Sequence, residues 1–112
     1  MTADYVEALA KHRFDLLYVE GKLAALIETI AKVDHLLIEN VAVSPPFQGR
    51  GLGRKLMAHA ERLAVSLGYR EIRLYTNKLF AENVELYRAL GYRVDREETV
   101  PAGIVVHMSK PC

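Results

Sequence analysis

The most informative stretch of the chain is Val41-Ala42-Val43-Ser44-Pro45-Pro46-Phe47-Gln48-Gly49-Arg50-Gly51-Leu52-Gly53, where an apolar run and a proline pair lead to a turn with three alternating glycines. A turn of this kind before a helix leaves several backbone N–H groups unpaired, and the helix dipole adds about half a positive charge there. Because glycine lacks a Cβ, the oxygens of an anion can approach the main chain closely. Arg50 and Arg54 can add charge at the rim. The stretch therefore predicts a phosphate site, with a plain tight turn as the alternative.

Two common nucleotide-binding motifs fit this stretch less well. A dinucleotide-binding fingerprint would need a third glycine at position 54, which is Arg54. A P-loop would need glycine, lysine and then serine or threonine after a longer loop, and the chain has no such run here. The turn therefore predicts a phosphate ligand of a different kind.

Directly after the turn, apolar residues repeat at helical spacing. They fall on one stripe, which consists of Leu52, Leu56, Met57, Ala60, Leu63, Ala64 and Leu67. Gly68 supplies a stop signal, because glycine readily takes the left-handed conformation that ends many helices. The pattern predicts a helix from Gly51 to Gly68 with one face on a sheet.

The remaining segments alternate between strand and helix patterns. Before the turn we predict a short helix at 3–11, a hairpin of strands at 14–20 and 22–30, and a strand at 36–43. After it we predict a strand at 69–76, a helix at 81–90, and strands at 92–100 and 104–108. A strand, helix, strand unit with short joints implies a right-handed crossover between parallel strands. The predicted fold class is α/β (α+β): a mixed, mostly antiparallel central sheet of about six strands with flanking helices.

Length and composition restrict the class of protein. A chain of 112 residues, 51% of them hydrophobic but without a long apolar run, fits one soluble domain over residues 1–112 and no membrane span. No signal-peptide pattern follows Met1 and the single cysteine is Cys112, so we expect a cytoplasmic protein without disulfides. The net charge of +1 argues against a nucleic-acid partner. The four histidines lack the spacing of metal ligands, so no metal is expected.

Several motifs together resemble the GNAT superfamily of N-acetyltransferases. The family signature is Gln or Arg, two residues, Gly, one residue, and Gly or Ala, and Gln48, Gly51 and Gly53 satisfy it. The segment Tyr87-Arg88-Ala89-Leu90-Gly91-Tyr92 resembles the family's tyrosine-x-x-leucine-glycine-aromatic ending. The resemblance extends over residues 14–110 and implies the GNAT-like acyl-CoA N-acyltransferase fold.

The resemblance also implies where acetyl-CoA, the cosubstrate, would bind. It places the cofactor in a cleft where the strand ending near Val43 diverges from the strand at 69–76, with pantetheine on the strand edge and pyrophosphate on the turn. The residues so implied are Val41, Ala42, Val43, Gln48, Gly49, Arg50, Gly51, Leu52, Gly53, Arg54, Asn77, Asn83 and Tyr87. Two alternatives stay open, because Asn77 can simply end a strand and Asn83 can lie on a helix face.

Two residues are candidates for proton transfer. Acyl transfer needs a neutral amine, yet an alkylammonium with a pKa of about 10.4 is almost entirely protonated at pH 7. Glu39 is the candidate base because it interrupts an apolar strand, where an unpaired carboxylate would be costly. Two alternatives stay open: an ordered water is the base, or Glu39 is only an exposed or paired residue at the strand edge. Tyr87 matches the family position of the acid that assists the leaving thiolate; the alternative is a buried, hydrogen-bonded aromatic.

The chain differs from the family at its N-terminus. Family members usually have a strand and two helices before the first hairpin, whereas only residues 2–11 precede it here, and those helices form much of the acceptor wall. The resemblance predicts acetyl transfer to a primary amine by direct attack in a ternary complex. We also expect a homodimer, in which the second subunit would complete the acceptor wall and cover the hairpin. The alternatives are a CoA-binding regulatory module without turnover and an interaction domain whose turn binds no ligand.

Overall fold

The computed structural model describes residues 12–112 as one mixed sheet with two helices. The helix predicted at 3–11 lies outside the described residues. The strands are β1 (His12–Val19), β2 (Lys22–Ala31), β3 (Leu36–Val43), β4 (Glu71–Asn77), β5 (Arg93–Val100) and β6 (Gly103–Pro111), and the helices are α1 (Leu52–Ser66) and α2 (Ala81–Ala89). Neither helix has the length and apolar composition required to cross a membrane.

The sheet has the strand order β1-β2-β3-β4-β6-β5. The β3–β4 pair is parallel, and every other neighbouring pair is antiparallel. Helix α1 connects the parallel pair, as the strand, helix, strand pattern predicted. The mixed, mostly antiparallel sheet of about six strands is therefore confirmed.

Two boundaries differ from the predictions for a physical reason. Gly68 ends α1 with a φ of 85°, and the chain then closes with a hydrogen bond from the Tyr69 N–H to the Ala64 carbonyl at 2.9 Å. Tyr69 thus belongs to the helix ending, and β4 begins at Glu71. Strand β6 is longer than predicted, because it lies between two strands and pairs with both of them.

The core lies between the sheet and the helices. Strand β4 alternates, with Ile72 and Leu74 buried, and Ala60 and Ala64 of α1 are fully buried as well. Because alanine is small, α1 can approach the sheet closely. This packing holds β3 and β4 rigidly up to the point where they separate.

Candidate active site

A wedge-shaped cleft opens between β3 and β4. The two strands pair from Leu36 opposite Ile72 to Ile38 opposite Leu74 and then separate. From Glu39 onward, β3 keeps β2 as a neighbour but has no strand partner on its other side within residues 12–112. The cleft has a volume of about 330 Å³. Because it opens at the carboxyl ends of parallel strands, it lies where open α/β sheets bind ligands.

The cleft brings together many of the residues that the sequence singled out. Its walls come from both strands, α2 and β6, and consist of Ile38, Glu39, Asn40, Val41, Leu74, Tyr75, Thr76, Asn77, Phe80, Asn83, Tyr87 and Val105. Ala42 and Val43 follow along the same edge of β3 and lead into the glycine-rich turn. The candidate proton-transfer residues, Glu39 and Tyr87, therefore share one cleft.

The turn between β3 and α1 is fixed by its own contacts. Gln48 Nε2 donates a hydrogen bond to the Val43 carbonyl at 3.1 Å, which ties the turn to the end of the strand. Gly49 and Gly51 have φ values of 80° and 77°, in the left-handed region that favours glycine. The side chain of Gln48 thus shapes the turn, a role that the signature spacing did not reveal.

The start of α1 presents unpaired backbone donors. The first helical hydrogen bond joins the Lys55 N–H to the Gly51 carbonyl at 3.1 Å. The backbone N–H groups of residues 49–54, which precede it, donate to no carbonyl in the described turns and caps. The first turn of the helix has no acidic residue. Arg50, Arg54 and Lys55 form no ion pair within residues 12–112. Free donors, the helix dipole and three cations all favour an anion at this point.

Gly53 differs from the other two glycines of the turn. It lies in the first turn of α1 without a positive φ, and a Cβ placed on it would meet no atom within 4 Å. Glycine inside a helix is less stable than alanine by about 0.5–1 kcal/mol. Neither backbone conformation nor packing in the described chain therefore requires glycine here, and the open space lets a bound group approach the main chain.

Glu39 lies at the mouth of the cleft and has a partner, unlike the unpaired carboxylate considered from the sequence. The Tyr75 hydroxyl donates a hydrogen bond to Glu39 Oε1. This hydrogen bond, burial, and the negative charges of Glu39 and Glu28 raise the pKa of Tyr75 to about 12. The phenol therefore keeps its proton at neutral pH and acts as a donor to the carboxylate.

Tyr87 extends from α2 into the cleft and is half-buried. Burial raises the pKa of its hydroxyl, and its ring packs edge-on against Tyr92 with 6.2 Å between the centroids. The tyrosine hydroxyls that donate hydrogen bonds in the described chain belong to Tyr69, Tyr75 and Tyr92. Tyr87 thus offers a protonated hydroxyl that no side chain or carbonyl of residues 12–112 engages.

The two candidate asparagines differ in their contacts. Asn77 Oδ1 accepts a hydrogen bond from the Leu79 N–H at 2.9 Å, and its amide nitrogen lies 3.3 Å from where a Cβ on Gly103 would be. Asn77 therefore shapes the turn from β4 to α2, and it also lines the cleft. Asn83 is exposed in the first turn of α2 and lines the cleft.

A larger hollow of about 530 Å³ crosses β4, β6 and β5 and is a weaker candidate for an anion site. Its charged side chains neutralise one another, with Arg73 lying 2.7 Å from Glu71 and Arg93 lying 3.0 Å from Asp95. It lacks a helix N-terminus and a glycine-rich turn among its lining residues. The cleft between β3 and β4 remains the candidate active site.

The histidines and the cysteine lie in ordinary contacts. His12, His35 and His107 each pair with a single carboxylate. No three His, Cys, Asp or Glu side chains within residues 12–112 are grouped as a metal site requires. Cys112 is exposed, and its thiol donates to the Tyr69 carbonyl.

Sequence reasoning missed seven residues that line the cleft, namely Ile38, Asn40, Leu74, Tyr75, Thr76, Phe80 and Val105. Tyr75 lay within a predicted strand, and the alternation of Ile72 and Leu74 places it on the face opposite the core. That alternation was readable from the sequence. The partner of Tyr75, 36 positions away in β3, was not.

A sheet whose parallel pair separates beside a glycine-rich helix start defines the acyl-CoA N-acyltransferase class of fold, and solved N-acetyltransferases share it. The model of the acetyltransferase (GNAT) family matches residues 2–92. The chain belongs to the GNAT family, which confirms the resemblance seen in the sequence.

Two curated relatives and one solved structure illustrate the likeness. N-alpha-acetyltransferase 80 of Mus musculus is 35% identical over 71 residues, which are 63% of this chain and 21% of that protein. The ribosomal protein bS18-alanine N-acetyltransferase of Escherichia coli K12 is 34% identical over 76 residues, 64% of this chain and 49% of that protein. The chain thus spans about half the length of the bacterial relative and a smaller part of the mouse one.

The structure of nourseothricin acetyltransferase superposes with a TM-score of 0.84 and 25% identity, covering 91% of this chain and 66% of that one. Other structures of the same fold contain CoA or acetyl-CoA. In those proteins the fold is thus a CoA-binding fold.

Proposed function

We propose that this protein transfers the acetyl group of acetyl-CoA to a primary amine by direct attack in a ternary complex. The observation that carries the proposal is the start of α1, where the N–H groups of residues 49–54 are unpaired and three cations lack ion-pair partners in the described chain. This donor array lies next to a cleft that holds a carboxylate and a free phenol. Family membership supports the same reaction class.

The pyrophosphate of acetyl-CoA would bind at the turn. Its oxygens would accept from the free N–H groups, and Arg54 would add charge at the rim. Arg50, whose guanidinium lies 5.2 Å from the centre of the Phe47 ring, is exposed and available to a phosphate as well. The space above Gly53 would allow close approach to the helix start.

The pantetheine arm would follow β3 toward the cleft. Beyond Ile38 this edge has no strand partner among residues 12–112, so the backbone from Val41 to Val43 can bond to pantetheine amides as a strand would. The thioester would then lie near Asn83 and Tyr87, which face β3 across the cleft. The carboxylate of Glu39 would lie on the acceptor side.

The reaction then needs three proton transfers, two from the acceptor nitrogen and one to the leaving thiolate. Glu39, directly or through a water, takes a proton from the ammonium, and the neutral nitrogen attacks the thioester carbonyl carbon. The tetrahedral intermediate loses a second proton from nitrogen, the C–S bond breaks, and the thiolate of CoA takes a proton with help from the Tyr87 hydroxyl. The products are the acetamide, CoA with a free thiol, and one released proton.

The acceptor would be an amine of a protein N-terminus or of a small molecule. The names of the relatives include an N-alpha-acetyltransferase, an alanine N-acetyltransferase and the streptothricin and nourseothricin acetyltransferases. The half-buried carboxylate at the cleft mouth suits an acceptor that arrives as a cation.

Two measurements test the proposal. Calorimetry should show CoA binding, with S-acetylpantetheine at least about tenfold weaker because it lacks the pyrophosphate. Thiol release from acetyl-CoA should then depend on one member of a panel of N-terminal peptides, lysine peptides and small amines. CoA binding without release for any amine would favour the regulatory module, and absence of CoA binding would overturn the assignment of the turn.

A further inference from the structure

One side-chain contact bridges β3 and β4 where their backbone pairing ends. Ile38 and Leu74 are the last paired residues, and the next residue of each strand is Glu39 and Tyr75. The Tyr75 hydroxyl donates to Glu39 Oε1. The only group of the described chain that donates to this carboxylate is therefore a side chain of the opposite strand.

The local strand geometry explains why these two side chains meet. Ile72 and Leu74 are buried against the helices, so Tyr75 lies on the other face of β4, where it is 41% exposed. A register shift between Glu28 and Thr29 of β2 lies opposite this part of β3. Glu39 thus faces Tyr75 at a point where the sheet itself is irregular.

The environment of the Tyr75 hydroxyl shows that it is the proton donor in its contact with Glu39. The pKa of Tyr75 is raised to about 12, first by its hydrogen bond to Glu39 and also by burial and by the charge of Glu28. A phenol in this state donates and does not accept a proton at neutral pH. Other titratable or charged groups of this sheet face and the cleft are Glu28 with His12, His107 with Glu98, Arg96 beside Glu98, Arg73 with Glu71, Arg93 with Asp95, His35, and Tyr87.

We propose that Tyr75 is a positioning residue that holds the Glu39 carboxylate toward the incoming amine. The proposal rests on the proposed function, in which Glu39 is the base. A free carboxylate on a strand edge can rotate between several directions, whereas one held by a fixed donor keeps its second oxygen available in one direction. Tyr75 itself does not contact the thioester or take the proton.

The kinetic test compares Tyr75→Phe with Tyr69→Phe. Tyr69 donates its hydroxyl to the Lys32 carbonyl and does not line the cleft, so it controls for the loss of any tyrosine hydroxyl bond. In Tyr75→Phe, kcat should fall by roughly 10- to 100-fold while CoA affinity stays within about twofold. A loss of kcat without a loss of CoA affinity separates a positioning role from a structural one. Tyr69→Phe should keep the wild-type kcat and CoA affinity.

A second measurement needs no turnover. With tyrosine labelled at the ζ carbon, nuclear magnetic resonance from pH 8 to 11 should show Tyr75 still protonated at pH 11 in the wild type and largely ionised there in Glu39→Gln. Ionisation of wild-type Tyr75 near pH 10 would overturn the inference, since the hydrogen bond would then be absent. An active Tyr75→Phe with an unchanged kcat would overturn it as well. Absence of wild-type turnover with every amine would instead overturn the proposed function, and the role of Tyr75 with it.

Discussion

At Gly53 two substitutions separate the requirements of the fold from those of the proposed ligand. Gly53→Ala should raise the free energy of unfolding by about 0.5–1 kcal/mol, because alanine favours the helix and its methyl group meets no protein atom. Because the family signature admits alanine at this position, Gly53→Ala should keep its affinity for CoA, whereas Gly53→Glu should weaken it at least about tenfold by placing a carboxylate in the space proposed for a phosphate. Urea denaturation and calorimetry measure the two effects.

Gly68→Ala is the matched control for this substitution. Gly68 has a φ of 85° at the other end of α1, so alanine should destabilise the protein there and leave CoA affinity unchanged. If a folded Gly53→Glu kept full CoA affinity, the phosphate would have to bind elsewhere.

Tyr87→Phe tests the proposed acid for the leaving thiolate. The substitution should lower kcat by roughly 10- to 1000-fold with little change in acetyl-CoA affinity, because positioned acid catalysis has about that magnitude. Stopped assays of thiol release and calorimetry give the two values. Equal losses of rate and affinity would indicate that the ring matters through its packing on Tyr92.

The sequence predicts individual site residues where their spacing alone identifies them. Gly49, Gly51 and Gly53 alternate, and this spacing was enough to predict a phosphate turn. The partner of Glu39 was not readable, because Tyr75 is 36 positions away and the register of β3 on β4 depends on tertiary packing.

At the scale of elements, one polar cluster joins α1 to β6. Tyr92 is buried, its hydroxyl donates to Glu61 Oε2 at 3.1 Å, and Lys110 Nζ donates to Glu61 Oε1 at 2.9 Å. Burial first, and then the charge of Glu61, raises the pKa of Tyr92. The cluster therefore makes stability depend on pH in the alkaline range.

The expected dependence follows from the sign of that shift. The unfolded phenol ionises near pH 10 and the folded one does not, so this stabilisation is complete below about pH 10 and is lost as the pH rises further. Urea denaturation at pH 8 and pH 11 should show a smaller loss in Tyr92→Phe than in the wild type. Tyr92→Phe should also cost about 1 kcal/mol at neutral pH. Identical losses in the two proteins would contradict the assignment to Tyr92.

Elements with a strong internal pattern were predicted better than those fixed by their neighbours. Helix α1 was predicted almost to the residue, because its apolar stripe and Gly68 are both local signals. The extent of β6 was underestimated, since its ends at Gly103 and Pro111 are set by pairing with β4 and β5.

For the whole molecule, the exposed face of β1 predicts self-association. Phe14, Leu16 and Tyr18 alternate along β1 on one face and are 58%, 49% and 57% exposed. Apolar surface of this kind commonly marks an interface. We expect a homodimer that buries on the order of 1,000 Å² or more and includes this face.

Light scattering at tens of micromolar should show the dimer, and Leu16→Lys should convert it to a monomer. Val65→Lys is the control, because Val65 is equally exposed but lies on α1, away from β1. A wild-type monomer with full activity would show that no second copy completes the acceptor site.

The position of β6 has a consequence for the order of events during folding. It follows every other described strand in the chain, yet it lies inside the sheet between β4 and β5. Until it inserts, β4 has only its short pairing with β3, and β5 has no neighbour in the described sheet. Pairings between segments far apart in sequence form slowly. The wall of the cleft on the β4 side should therefore become rigid late, so that a nascent chain would complete its proposed CoA site only after most of helix α1 has formed.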